Sequence, residues 1–170
     1  AAEGARVAIV ARTQRHIDTA VDAIVSSGGD AIGVSADMTT EAGINAAVAE
    51  GTQRLAAPEI VVTQADFHVR GFFAEIERAE DYVDSYRAYT LSQVHLLRAV
   101  LPAMQEQGWG RYVHIGSATA KEPQSKPPHT VANATRPSTV GLLKSVADEY
   151  ARFGIAINTV APGWIATKTT

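Results

Sequence analysis

Apolar residues along this chain follow two alternating spacings. Short, nearly continuous runs rich in Val and Ile, of the kind buried on both faces of a parallel sheet, are separated by stretches whose apolar positions recur every three or four residues, as on one face of a helix. The first run is Arg6 to Ala11, introduced by Gly4. Thr13 is placed to cap the helix that follows, on which Ile17, Ala20, Val21, Ile24 and Val25 mark the inner face before Gly28-Gly29 ends it. The signals then repeat. Ala31 to Ser35 predicts a strand, Thr40 to Leu55 a helix with Ile44, Ala47 and Val48 inward, and Glu59 to Thr63 a third strand. A long helical stretch from Glu80 to Gln107 carries Val83, Tyr86, Leu91, Val94, Leu97, Val100 and Leu101 as its apolar positions and stops near Gly108 and Gly110. Arg111 to Ile115 predicts a fourth strand, Ser117 to Thr130 a polar loop containing prolines, Val131 to Phe153 a helix and Ile155 to Val160 a last strand.

Strands alternating with helices imply right-handed βαβ crossovers. The expected fold class is therefore α/β: a doubly wound parallel sheet, Rossmann-like, in three αβα layers, with all five strands in one sheet. Ligands of such sheets bind at the C-terminal strand ends.

Composition narrows the function classes. At 170 residues the chain fits one domain, with 46% apolar and 19% charged residues, as in ordinary globular proteins rather than disordered ones. A net charge of −3 with both signs interspersed offers no basic stripe for a phosphate backbone, so neither DNA nor RNA is an expected partner. The absence of cysteine excludes disulfides, a thiolate nucleophile and zinc-thiolate sites, and the spacing of the five histidines suggests no metal centre. No segment approaches the length of a membrane span, and Ala1 to Val10 lacks the zones of a signal peptide, so a soluble, cytoplasmic setting is the expectation.

Several segments, in order, resemble the short-chain dehydrogenase/reductase family. They are Gly4-Ala5-Arg6-Val7 at the family's second strand, Leu101-Pro102-Ala103-Met104 at the end of its long helix, Ile115-Gly116-Ser117 after its fifth strand, and Gly154 to Asn158 leading into Ala161-Pro162-Gly163 and Thr167. The resemblance implies hydride transfer between a nicotinamide cofactor and a small carbonyl or alcohol. It also implies a homo-oligomer, dimer or tetramer, built through the long helix and the helix from Val131. The position ending the family's second strand selects the cofactor; here it is Ala11 followed by Arg12. With no carboxylate to repel a 2′-phosphate and a guanidinium able to grip it, NADP is expected rather than NAD. Asp37-Met38 matches the place where relatives set an acid against the adenine, although Asp37 reads equally as a helix N-cap. Ala65 lies in the fourth-strand motif near the cofactor, and Pro162 and Gly163 shape the loop over the nicotinamide.

The chain departs from the family at four places. Asp66 stands where a glycine lets the backbone approach the cofactor, and Tyr89 where the long helix carries asparagine. The Tyr-x-x-x-Lys pair falls on Ala132 and Arg136, while the substrate-binding serine is kept as Ser117. Ser117 and Arg136 are thus the expected catalytic residues, Arg136 also holding the cofactor ribose, and His129 and Tyr89 are alternative proton donors. Because the resemblance starts at the family's second strand, the chain is expected to be an incomplete portion of a longer polypeptide. The expected function is an NADP-linked oxidoreductase. The alternative is a catalytically impaired relative serving as a nucleotide-binding or structural subunit.

Overall fold

The computed structural model describes residues 1–65, 67, 69–123, 127–163 and 165; Asp66 and Thr167 lie outside them. Two compact units are present, the first formed by Ala1–Pro58 with Val94–Ala103, the second by Glu59–Gln93 with Met104–Thr170.

In the first unit, β1 (Arg6–Ala11) pairs in parallel with β2 (Asp30–Ser35), Arg6 opposite Asp30 and Ala11 opposite Ser35. The connecting α1 (Gln14–Ser26) buries Ile17 against Gly33 of β2, where an added Cβ would collide with the Ile17 side chain. Val25, expected on the inner face, is exposed. Helix α2 (Glu41–Arg54) is capped by Thr40, whose hydroxyl accepts from the Gly43 N–H at 3.1 Å. Ile44 and Ala47 form its buried face, and Arg54 reaches back to the Gly33 carbonyl at 2.9 Å.

In the second unit, β3 (Ile60–Gln64), β4 (Gly110–Ile115) and β5 (Ile155–Val160) form a parallel sheet in that order. Among the described residues the five strands thus make two sheets, not the single one expected. Alternation of strands and helices reports parallel crossovers without saying which strand is whose neighbour. The long helical stretch is broken into α3 (Glu80–Tyr86), a π-helical turn (Arg87–Leu91) and α4 (Ser92–Gln107). Helix α5 (Thr130–Tyr150) follows the polar loop and ends in a 3₁₀ turn at Ala151–Phe153.

Hydroxyls link α3 and the π turn to α5. Ser85, fully buried, bonds to Thr135 at 2.7 Å, and Thr90 bonds to Ser138 at 2.7 Å and Thr139 at 3.0 Å. Val83 and Tyr86, expected inward from their spacing, are therefore on the exposed side. Tyr112, Met104, Val131, Leu143 and Ile155 are among the buried apolar residues of this unit.

Candidate active site

A cavity of about 170 Å³ opens at the C-terminal ends of β3 and β4, entirely within the second unit. Ala65, His114, Gly116 and Ser117 line it from the strand ends, Tyr89 from the π turn, and Arg136 from α5. Ala65, Ser117 and Arg136, singled out from the sequence, are thus brought together.

Four polar side chains run in sequence beside this cavity. Arg136 donates from Nη2 to the Tyr89 hydroxyl at 3.3 Å and from Nη1 to the Thr119 hydroxyl at 2.9 Å. Thr119 Oγ1 lies 3.1 Å from Ser117 Oγ, which also accepts from the Thr119 N–H at 3.3 Å. Ser117 therefore caps the 3₁₀ turn Ala118–Ala120 while lining the cavity, so the turn-capping and ligand-facing roles do not compete. The guanidinium carbon of Arg136 also stands 5.3 Å from the Tyr89 ring centroid, in cation–π range. Tyr89 is only 3% exposed, yet it borders the cavity.

Ala132, at the family's tyrosine position, is buried and does not border the cavity. His129 precedes α5 and forms a backbone bridge with Gly71; it too lies outside the cavity wall.

Beneath the cavity is a buried network that sequence reasoning missed. Thr63 donates to Gln93 Oε1 at 2.9 Å, and Tyr112 donates to the same oxygen at 2.7 Å. Thr63 Oγ1 also lies 2.8 Å from His114 Nδ1. With the single Thr63 proton directed to Gln93, Nδ1 carries the imidazole hydrogen and Nε2 the lone pair. Burial pushes the His114 pKa below its ordinary value and keeps the ring neutral, and burial raises that of Tyr112. His114 is thus a buried sheet residue with a hydrogen-bond partner.

In the first unit, Arg12 is exposed just after β1. Asp37 is held below the usual carboxylate range chiefly by the Thr39 N–H (2.9 Å) and hydroxyl (2.7 Å), with the Arg12 charge adding to them against a small cost of burial. Thr40, not Asp37, caps α2. Met38 beside it is half-buried. In the second unit, the Pro162 carbonyl accepts from Ala118 N–H at 3.3 Å, tying the loop after β5 to the turn that Ser117 caps. Gly163 is exposed, with open space where a Cβ would stand.

Chemically, the cavity presents cationic and hydroxyl donors, suited to ribose hydroxyls and to a carbonyl or alkoxide oxygen. An exposed guanidinium at the end of β1 suits a phosphate. The cavity donors fit the ribose hydroxyls of a nicotinamide cofactor.

Comparison with known proteins is consistent in direction. The family described as short chain dehydrogenase matches over residues 1–170. The chain is 26% identical to the ketoacyl reductase HetN of Nostoc sp., over 98% of this chain and 57% of that protein. It is 30% identical to the D-beta-hydroxybutyrate dehydrogenase of Rhizobium meliloti, over 89% of this chain and 58% of that one. The chain thus spans a little over half the length of these relatives. Among solved structures, L-sorbose reductase from Gluconobacter frateurii, complexed with NADPH and L-sorbose, superposes with a TM-score of 0.90 at 24% identity, covering 98% of this chain and 63% of that one, a likeness of fold. Among the described residues no helix is long and apolar enough to cross a membrane.

Proposed function

Since this chain belongs to the short-chain dehydrogenase family, we propose that the protein is an oxidoreductase that uses NADP to interconvert a small carbonyl compound and its alcohol. The observation that carries this reading is the cavity at the ends of β3 and β4, with Ser117 and Arg136 in its wall and linked through Thr119. Ser117 binds the reacting oxygen. Arg136 supplies positive charge and donors for the nicotinamide ribose, and Ala65, without a side chain beyond Cβ, leaves room beside it. When bound, the cofactor supplies the hydride.

The preference for the phosphorylated cofactor rests on Arg12, with Asp37 and Met38 assigned to the adenine. Pro162 and Gly163 form the loop over the nicotinamide. Fluorescence titration of the purified protein with NADPH and NADH tests the assignment. NADPH binds at least about tenfold more tightly, and Arg12→Ala removes most of that difference while leaving NADH affinity within about threefold. Equal affinity for the two cofactors in the wild-type protein contradicts the NADP assignment.

A further inference from the structure

Carbonyl reduction needs a proton as well as a hydride, and the residue that relatives use to give it is here Ala132, which has none to give. This inference rests on the oxidoreductase reading above and concerns the missing proton donor. Six polar side chains line the cavity: Gln64, His114, Ser117, Arg136, Thr139 and Tyr89. The Gln64 amide and the Thr139 hydroxyl, like any amide or aliphatic alcohol, are weaker acids than a phenol. A guanidinium such as that of Arg136 is too weak an acid to serve. His114 is neutral, and its one N–H is engaged by Thr63. Ser117 is an aliphatic alcohol, a much weaker acid than a phenol, and its oxygen is engaged by Thr119.

We propose that Tyr89, projecting from the π turn of the long helix, is the proton donor, with Arg136 stabilising the phenolate it becomes. The geometry supplies both parts. The Tyr89 hydroxyl is a cavity-wall group 3.3 Å from Arg136 Nη2, and it sits in the middle of the π turn Arg87–Leu91, a local irregularity of the kind that often marks a functional position. In reduction, the carbonyl carbon gains a C–H bond from the hydride of the reduced nicotinamide. The π pair of the C=O bond moves to oxygen, and that oxygen takes the Tyr89 proton. The nicotinamide is oxidised and the carbonyl reduced. The phenolate, paired with the guanidinium, regains its proton from water. Relatives place tyrosine and lysine on one helix; here tyrosine and arginine on two helices produce the same pairing of phenol and cation.

The test uses Tyr89→Phe in the purified protein. The variant keeps the wild-type unfolding midpoint within a few degrees and binds NADPH within about threefold of wild type by fluorescence. Its kcat for carbonyl reduction falls by roughly 10²–10⁴ with KM little changed. If Tyr89→Phe does not fold, Tyr89→Asn, carrying the residue found there in relatives, is judged by the same readouts. Turnover within about threefold of wild type in the folded variant overturns the assignment of Tyr89 alone. Lost turnover accompanied by lost NADPH affinity or a lowered unfolding midpoint makes Tyr89 a structural residue and also overturns it. A wild-type protein that binds NADPH but oxidises it with no carbonyl, or does not bind it, removes the oxidoreductase reading itself, and this inference with it.

Discussion

Replacing Thr63 by valine tests whether the network under the cavity is as the hydrogen bonds describe it. The substitution keeps the β-branched shape and deletes one hydroxyl, which serves Gln93 at 2.9 Å and His114 at 2.8 Å and is 8% exposed. Its two partners are left in different states. Gln93 Oε1 still accepts from Tyr112 at 2.7 Å, whereas the His114 Nδ1–H loses the one partner described for it. A buried donor left unpaired costs about 1–3 kcal/mol, so Thr63→Val should cost about 2 kcal/mol and lower Tm by roughly 4–8 °C. Tyr112→Phe is the matched control. It removes one hydrogen bond but leaves Gln93 Oε1 paired with Thr63, so it should cost only about 1 kcal/mol. Urea denaturation at about pH 8, where histidine is neutral in both folded and unfolded chains, measures both. A cost of less than about 0.5 kcal/mol for Thr63→Val, or a larger cost for Tyr112→Phe, would refute the assigned directions of donation.

Three further outcomes are expected. Burial holds the folded pKa of His114 below its unfolded value of about 6.5, so the unfolded chain takes up protons first. Its contribution to stability is therefore complete above that value, declines as pH falls toward the folded pKa, and levels off below it; His114→Gln should flatten this part of a urea-midpoint series against pH. Gly154 has φ +72° and an added Cβ would meet the Gly108 carbonyl, whereas Gly108 has φ +67° and open space. Gly154→Ala should thus cost more than the roughly 1–2 kcal/mol of left-handed strain expected for Gly108→Ala, as thermal melts of the two would show. Ser117→Ala should lower kcat about 10- to 100-fold while leaving NADPH affinity within about threefold, because in the proposed reaction its hydroxyl serves the carbonyl oxygen and not the dinucleotide.

Much of the fold could be read from apolar spacing, because β1 and β5 are dense β-branched runs and Gly28, Gly108 and Gly154 have the positive φ angles of turn glycines. Less visible was the contact of α3 and the π turn with α5. Ser85, Thr90, Thr135 and Thr139 are buried and pair through hydroxyls, so a hydropathy pattern takes them for surface and sends Val83 and Tyr86 inward instead. The π turn has no local signature either, since one shifted backbone bond leaves the composition of the helix unchanged. At the site, family register located Ser117, Arg136 and Ala65, which share one cavity. It could not locate Thr119, whose role comes from a link to a residue seventeen positions away, nor the Thr63, Gln93 and Tyr112 network, which exists only once β3, β4 and α4 are packed. Asp37 was open between two readings, and Thr40 takes the capping one.

The most direct test of the central claim is isotope transfer: the purified protein is incubated with NADPH deuterated at the transferable position and a panel of small ketones and aldehydes, and the products are weighed by mass spectrometry. The account predicts an alcohol carrying one deuterium on the former carbonyl carbon, with a matching amount of NADP formed. Bound NADPH that leaves every carbonyl unlabelled would contradict it and leave a nucleotide-binding protein without reductase chemistry.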